Sequence, residues 1–166
     1  NQYIANNHPV TQVSWRDASV YCYWKKKRLP SETEWEHAAK NAKNKQQKYT
    51  WGNELMINKR LMANTWQGHF PQKNTLDDGF LYTSPVGYFP KNALGLYDMA
   101  GNVWEWCSDD FVNHYERYDN KIPSEEELKT VKGGSFLCDL QWCHNFRTAS
   151  RQGVSSETSS FHIGFR

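Results

Sequence analysis

The chain has 166 residues with a mean hydropathy of −0.88, and 15% of them are aromatic (8 Trp, 9 Tyr and 8 Phe), which predicts one compact domain with an interior built largely from rings. With 20 basic and 18 acidic residues the net charge is only +2, which argues against nucleic acid as a partner because such proteins show a strong basic excess. No apolar run approaches the roughly 20 residues of a membrane span, no signal-like segment opens the chain, and 4 cysteines are too few for a disulfide-dense scaffold.

The first predicted helix begins after Ser14 and runs to about Lys27. Asp17 stands at the third helical position, where its carboxylate completes a capping signal with Ser14. The basic run 25–28 is interpreted as the solvated end of this helix, where cations are favoured. Apolar residues recur at spacings of three and four and predict a buried face made of Trp15, Ala18, Tyr21 and Cys22.

A second helix is predicted after Ser31, with Glu34 completing a capping box. Its inward face is expected to carry Trp35, Ala38 and Ala39. Beyond Lys45 the helical period disappears, and closely spaced Asn and Gly residues indicate long loops and short strands. Residues 115–130 are predicted to form an exposed insertion.

Two cysteines near the C-terminus, Cys138 and Cys143, are candidates for chemistry. A spacing of five would place them about 140° apart on a helix, so they can converge only if the segment between them turns. Two thiolates alone suit a soft, low-coordinate ion such as Cu(I), whereas zinc would need two further Cys or His ligands. A disulfide, or two unrelated buried thiols, are the alternatives that the spacing leaves open.

Carboxylates and amides lie among glycines in two further stretches, 66–80 and 98–106. Such side chains, completed by backbone carbonyls, can bind Ca²⁺. Ordinary turn-capping by Asn and Asp explains the same pattern equally well, so both interpretations stay open here.

The arginines and histidines indicate a function less clearly than the cysteines and the loop carboxylates do. Arg147 and Arg151 can donate to backbone carbonyls or anchor a substrate, and the structural role is the more frequent one. The 6 histidines are scattered. No His-Glu-x-x-His motif or Ser/His/Asp set is present, so hydrolase chemistry receives no support.

Taken together, these motifs resemble those of the formylglycine-generating enzyme (sulfatase-modifying factor) family. That family implies an α+β, irregular, loop-rich fold of the C-type-lectin-like kind, with two helices and short strands. We expect residues 1–166 to form a single domain that corresponds to the C-terminal part of the family domain, its N-terminal part being missing. The resemblance rests on segments 8–10, 13–15, 28–36, 51–53, 64–68, 95–98, 101–106, 133–136 and 164–166.

The resemblance implies an oxidase. Cys138 and Cys143 would bind Cu(I), and O₂ would bind near Ser135. The substrate would be an unfolded sulfatase polypeptide, whose cysteine in a Cys-x-Pro-x-Arg motif is converted to formylglycine. The residues matched to the substrate cleft are Trp142, Arg147, Arg151 and His162, the last at a position where the animal enzymes have Asn.

The family also implies two structural calcium sites. The first would use Asn64, the Thr65 carbonyl, Asp78 and the Phe80 carbonyl; the second would use Asp98, the Gly101 and Val103 carbonyls and Glu105.

Further expectations concern the subclass, the oligomeric state and the location of the protein. Ala39 and Thr148 stand where the animal enzymes form a disulfide, which fits a prokaryotic member. We expect a monomer, and an extracytoplasmic rather than a cytoplasmic location. The alternative to the oxidase is a non-catalytic binding or structural module of the same fold.

Overall fold

The computed structural model describes residues 6–40, 47–112, 128–141 and 143–166. Five of the eight strands in these ranges are only two residues long, and loops make up most of the rest. Neither helix within the described ranges has the length and apolar character needed to cross a membrane. The predicted loop-rich α+β fold is confirmed. The elements are α1 (Trp15–Trp24), α2 (Glu32–Ala39), β1 (Met56–Ile57), β2 (Arg60–Leu61), β3 (Gly68–His69), β4 (Lys73–Asn74), β5 (Trp104–Asp110), β6 (Leu128–Lys132), β7 (Arg151–Ser155) and β8 (Ile163–Gly164).

The main sheet has four strands in the order β7-β6-β5-β8. β5 and β6 are antiparallel, as are β6 and β7, whereas β8 lies parallel to β5. Glu105, Lys132 and Arg151 are register partners on the three adjacent strands. Because directly opposite residues project from the same face, this row places three charged side chains on one face of the sheet.

Helix α1 begins as predicted but ends earlier. The Ser14 hydroxyl accepts from the Asp17 N–H and the Asp17 carboxylate accepts from the Ser14 N–H, which completes the capping box. The helix stops at Trp24, three residues before the expected end, because the backbone turns left-handed at Lys26 with φ of +56°.

The buried face of α1 is narrower than the spacing suggested. Ala18 and Cys22 are buried and Trp15 is half-buried, but Tyr21 is 48% exposed, so its predicted burial is wrong. Its ring lies at the surface, with its edge against Phe165 at 5.5 Å.

Helix α2 matches its prediction. Its capping box joins Ser31 and Glu34, Trp35 and Ala39 are buried, and Ala38 is half-buried. Trp35, Ala39, Met99 and Cys107 form a small apolar cluster between this helix and the sheet.

The predicted insertion at 115–130 is wrong at its C-terminal end. Residues 113–127 lie outside the described residues, but 128–130 belong to β6, where Lys129 and Thr130 are buried. Lys129 can be buried because its ammonium pairs with the Asp110 carboxylate at 2.6 Å and lies 4.2 Å from the centroid of the Trp15 ring.

Aromatic rings fill much of the core, as the composition predicted. Indole N–H groups also bond α1 and the loop before it to the sheet: Trp15 donates to the Cys107 carbonyl at 2.8 Å, and Trp106 donates to the Val13 carbonyl at 3.1 Å. The largest cluster contains Ala18, Cys22, Leu29, Tyr49, Ala63, Ala100, Trp104, Trp106, Val131, Cys138, Phe146 and Ile163.

Candidate functional site

A double-glycine turn leads from β6 into the segment that carries the candidate thiols. Gly133 and Gly134 have φ of +91° and +71°, a region that side-chain-bearing residues rarely adopt. A Cβ on Gly133 would lie 3.0 Å from the Trp35 ring, and one on Gly134 would lie 2.9 Å from the Phe146 nitrogen. The turn therefore has room only for glycine, and it directs Ser135 and Cys138 back against the core.

The structure brings the two candidate thiols together. The sulfurs of Cys138 and Cys143 lie 2.6 Å apart, and both cysteines are free. Cys138 is 2% exposed, whereas Cys143 is half-buried. One thiol of the pair therefore belongs to the core and the other lies nearer the solvent.

Backbone donors fix both cysteines. The Ser135 N–H donates to the Cys138 sulfur at 3.4 Å, and the Cys138 N–H donates to the Ser135 carbonyl at 2.9 Å. On the other side, the Cys143 N–H donates to the Asp139 carboxylate at 3.1 Å. The chain thus turns at Asp139, which is the condition that the five-residue spacing required.

The two thiols titrate as a pair. The hydrogen bond that they share lowers the pKa of Cys143 to about 7, against the opposing effect of burial. The same bond, together with burial, raises the pKa of Cys138. The proton that leaves first therefore comes from the more accessible sulfur, while Cys138 keeps its own.

This titration predicts the reactivity of the metal-free, reduced protein. Since only the thiolate is alkylated rapidly, the iodoacetamide rate at Cys143 is expected to rise with pH around a midpoint near 7. Cys138→Ala removes the shared hydrogen bond and should move the midpoint upward. The rate can be followed by mass spectrometry of the peptide that contains Cys143, and an unchanged midpoint in the variant would contradict the assignment.

Ser135, three residues before Cys138 in the chain, is fully buried. Its hydroxyl accepts from the Leu137 N–H at 3.3 Å. Ser135 is therefore held on the core side of the pair by its own backbone bonds to Cys138.

The predicted substrate residues are placed differently from one another. Arg147 is half-buried, and its Nε is a buried atom with no hydrogen-bond partner among the described residues. The Arg151 guanidinium is already engaged, since it pairs with Glu32 at 2.7 Å and donates to the Val112 carbonyl at 2.9 Å. The Arg151 Nε is likewise a buried atom without a well-aligned hydrogen bond, but it lies 2.7 Å from the Glu32 carboxylate, whereas the Arg147 guanidinium has no ion-pair partner in the described ranges.

Two further substrate candidates remain. His162 is half-buried, its Nδ1 lies 2.8 Å from the Ser160 hydroxyl, and burial lowers the pKa of its imidazole. Trp142 lies outside the described residues.

The first group of candidate calcium ligands converges. Asn64 is 1% exposed, its side-chain amide donates to the Tyr82 carbonyl at 2.8 Å, and its Oδ1 is a buried atom with no partner in the described ranges. The Asp78 carboxylate is also buried and accepts from the Thr65 N–H and the Phe80 N–H, each at 3.0 Å. The Gln67 side-chain amide also donates to the Asp78 carboxylate at 3.0 Å and to the Thr65 carbonyl. The Asn64 Oδ1 is therefore the side-chain oxygen of this group that a hard cation would satisfy.

Three residues of the second group, Asp98, Val103 and Glu105, line a cavity of about 670 Å³ that the Arg166 guanidinium also lines. Arg166 donates from Nε to Glu105 at 2.6 Å, and Trp35 Nε1 donates to the same carboxylate at 2.6 Å. The Asp98 carboxylate accepts from the Gly87 N–H at 2.7 Å. Burial raises the pKa of Asp98, an effect partly offset by that hydrogen bond and by Arg166.

Side chains alone do not build a metal centre in the described part of the chain. No group of three or more His, Cys, Asp or Glu side chains there is arranged to hold a metal ion. The candidate sites therefore depend on amide and carbonyl oxygens or on the two thiols.

Sequence reasoning missed two residues that shape these sites. Asp139 holds the Cys143 N–H, and its signal was available, because an Asp that follows the first cysteine is a frequent turn-former. Arg166 was recognised only as part of a motif, since its partner Glu105 is 61 residues away in the chain.

A family model and several known proteins match this chain. The family model described as "Sulfatase-modifying factor enzyme 1-like domain" matches residues 1–166. The chain is 43% identical over 164 residues to the formylglycine-generating enzyme of Mus musculus, an alignment that covers 97% of this chain and 44% of that protein. It is 39% identical over 161 residues to the inactive C-alpha-formylglycine-generating enzyme 2 of Bos taurus, covering 95% of this chain and 49% of that protein.

A solved structure shows the same fold. PvdO from Pseudomonas aeruginosa superposes with a TM-score of 0.72 at 29% identity, covering 96% of this chain and 60% of that one. The chain spans about half the length of the curated relatives described here.

Proposed function

The chain belongs to the sulfatase-modifying factor enzyme 1-like family, and from this premise we propose that it converts a cysteine of a sulfatase polypeptide into formylglycine. The observation that carries the proposal is the thiol pair, with Cys138 buried and Cys143 half-exposed beside it. A merely structural role would not require the second thiol to lie near the solvent with its pKa lowered to about 7.

The donor set fits Cu(I). Two sulfur ligands with no third Cys, His, Asp or Glu side chain grouped with them in the described residues suit a soft ion of low coordination number, and do not suit zinc. Cys138 and Cys143 would hold the ion. When bound, Cu(I) would supply the redox chemistry that O₂ requires and leave a position for a substrate thiolate.

The chain's own residues would orient this reaction. The Ser135 N–H bonds to the Cys138 sulfur on the core side, and Cys143 is the more exposed cysteine, so a substrate would approach from the side of Cys143. The lowered pKa of Cys143 makes its sulfur available as a thiolate near neutral pH. Arg147, four residues after Cys143, is half-buried with an unpartnered Nε, and it would bind a carbonyl of an extended peptide once its side chain turns outward.

The number of electrons transferred determines which co-reactants this conversion needs. Oxidising the cysteine β-carbon to an aldehyde releases the sulfur as H₂S together with two electrons. Reducing O₂ to water takes four electrons, so a thiol reductant must supply the other two and become a disulfide. The net reaction joins one cysteine, one O₂ and two thiols to give the aldehyde, H₂S, one water and one disulfide.

The test is conversion of a synthetic Cys-x-Pro-x-Arg peptide under air by the reduced protein, titrated with Cu(I) in the presence of a dithiol. Mass spectrometry should show loss of the thiol and gain of the aldehyde, saturating at one copper per chain. A folded chain that binds copper but leaves the peptide unchanged would contradict the proposal and favour a non-catalytic module.

We also propose a structural Ca²⁺ at the first group of ligands, on the unpartnered oxygen of Asn64 together with the buried Asp78 carboxylate. The second group receives less support, because its Glu105 carboxylate is already paired with a cation, the Arg166 guanidinium.

Calcium removal gives a direct prediction. A ligand at about 100 times its Kd stabilises a fold by roughly 2.7 kcal/mol, so chelation with EGTA should lower the Tm of the wild-type chain by several degrees. Asp78→Asn should abolish most of this effect, whereas the matched Asp98→Asn should leave it in place. A wild-type Tm that EGTA does not change would overturn the first site, and equal effects in both variants would overturn its location.

A further inference from the structure

Lys132, the last residue of β6, is a fully buried lysine that the proposed chemistry does not use. Its side chain has 0% exposure. Its ammonium bonds to the Glu36 carboxylate at 2.9 Å and lies 3.7 Å from that of Glu32, both on α2. A buried ammonium is tolerated only with such partners, so this pairing fixes the end of β6 against the helix.

The row of charges on the sheet extends this attachment. Lys132 has Arg151 on one side and Glu105 on the other as register partners. Arg151 pairs with Glu32, and Glu105 accepts from Trp35 of the same helix. Three adjacent strands are thus bonded to one face of α2.

The double-glycine turn begins at the next residue. Gly133 lies against the ring of Trp35, and its carbonyl accepts from the Gly101 N–H at 2.8 Å. Two residues later, Ser135 donates its N–H to the Cys138 sulfur. A displacement of Lys132 would therefore be transmitted along three residues to the sulfur.

We propose that Lys132 is a positioning residue: by bonding to Glu36 and Glu32, it sets where the 133–135 turn starts and thereby where the Cys138 sulfur lies relative to Cys143. This inference rests on the proposed function as far as turnover is concerned. Its effect on the thiol pair can be measured without metal or substrate.

The chain offers a matched control in the same strand. Lys129 is also buried, its ammonium pairs with the Asp110 carboxylate, and it lies 4.2 Å from the centroid of the Trp15 ring, as Lys132 lies 5.7 Å from that of Trp35. It is three residues further from the turn. Lys132→Met and Lys129→Met each remove one buried ammonium, and both are expected to lower the Tm by roughly 5–10 °C.

The two variants should differ at the thiols. In metal-free, reduced protein, dibromobimane becomes fluorescent when it bridges two neighbouring thiols. Lys132→Met should lower the bridging rate of Cys138 with Cys143 at least fivefold, whereas Lys129→Met should leave it within twofold. With peptide, copper and O₂, Lys132→Met should lower kcat at least tenfold with KM within twofold.

A further variant separates positioning from stability. Replacing both Lys132 and Glu36 by Met removes the buried ammonium together with the half-buried carboxylate that accepts from it, so the Tm should recover at least half of its loss. Bridging and kcat should stay low, because the bond that sets the turn is still absent. If bridging recovers with the Tm, or if both lysine variants change it equally, Lys132 is structural only and the inference is overturned.

The outcome is independent of the proposed function. If the wild-type chain does not convert the peptide, the bridging rates still decide the role of Lys132. If it converts the peptide and Lys132→Met does so at the wild-type rate, the inference fails while the proposed function stands.

Discussion

Cys143→Ser is expected to lower conversion of the peptide by about three orders of magnitude, corresponding to roughly 4 kcal/mol of transition-state stabilisation, with little change in Tm. The serine hydroxyl is a hard ligand and is protonated at neutral pH, so it cannot replace a thiolate toward Cu(I). Because Cys143 is only half-buried, the exchange of sulfur for oxygen should have little effect on the fold.

The same substitution at Cys138 should give the same loss of conversion with a lower Tm, since this side chain is 2% exposed. The matched control is Cys22→Ala, which removes another buried thiol of the same core cluster and should leave conversion within twofold. Copper stoichiometry, peptide conversion and thermal unfolding are measured on all three variants. Conversion that survives Cys143→Ser would show that the thiol pair is not the reactive centre.

Features of the fold could be predicted from the sequence where the residues that determine them lie close together in the chain. Both helix starts were found because a capping box lies within four residues of sequence and satisfies N–H groups that the helix cannot. The end of α1 was missed, because the left-handed turn at Lys26 has no glycine to mark it. The exposure of Tyr21 was missed because spacing predicts which residues share a face but not what lies opposite that face.

At the candidate site too, features set by nearby residues could be predicted and features set by distant residues could not. The five-residue spacing of the cysteines required a turn, and the turn is present at Asp139. By contrast, the burial of Lys132 depends on Glu36, 96 residues earlier in the chain, and that of Lys129 on Asp110. A lysine is expected at the surface until its partner is known, so the sequence gives no sign that the first residues of β6 are buried rather than part of the exposed insertion.

The segment Gly101–Asn102 connects the first group of candidate calcium ligands to the thiol pair. The Asn102 N–H donates to the Asn64 carbonyl at 2.8 Å, on the side of the first calcium ligands. The Asn102 carbonyl accepts from the Phe136 N–H at 3.0 Å, on the side of the thiol pair. Both sites therefore depend on one buried loop, in which Gly101 has φ of +68°.

Gly101→Ala is accordingly expected to destabilise the chain by more than about 4 kcal/mol, in the range of the largest single-residue effects. The new Cβ would lie 2.1 Å from the Asn64 carbonyl oxygen, a backbone atom that cannot rotate away. Gly95→Ala is the matched control, because Gly95 has φ of +82° and nothing within 4 Å of its Cβ position. This variant should lose only the roughly 1–2 kcal/mol of stability that left-handed backbone strain costs. Urea unfolding of both variants measures the difference, and EGTA should no longer lower the Tm of any Gly101→Ala protein that folds, since Asn64 would be displaced. Equal unfolding midpoints for the two variants would show that the loop yields, and that the two sites are not held together by it.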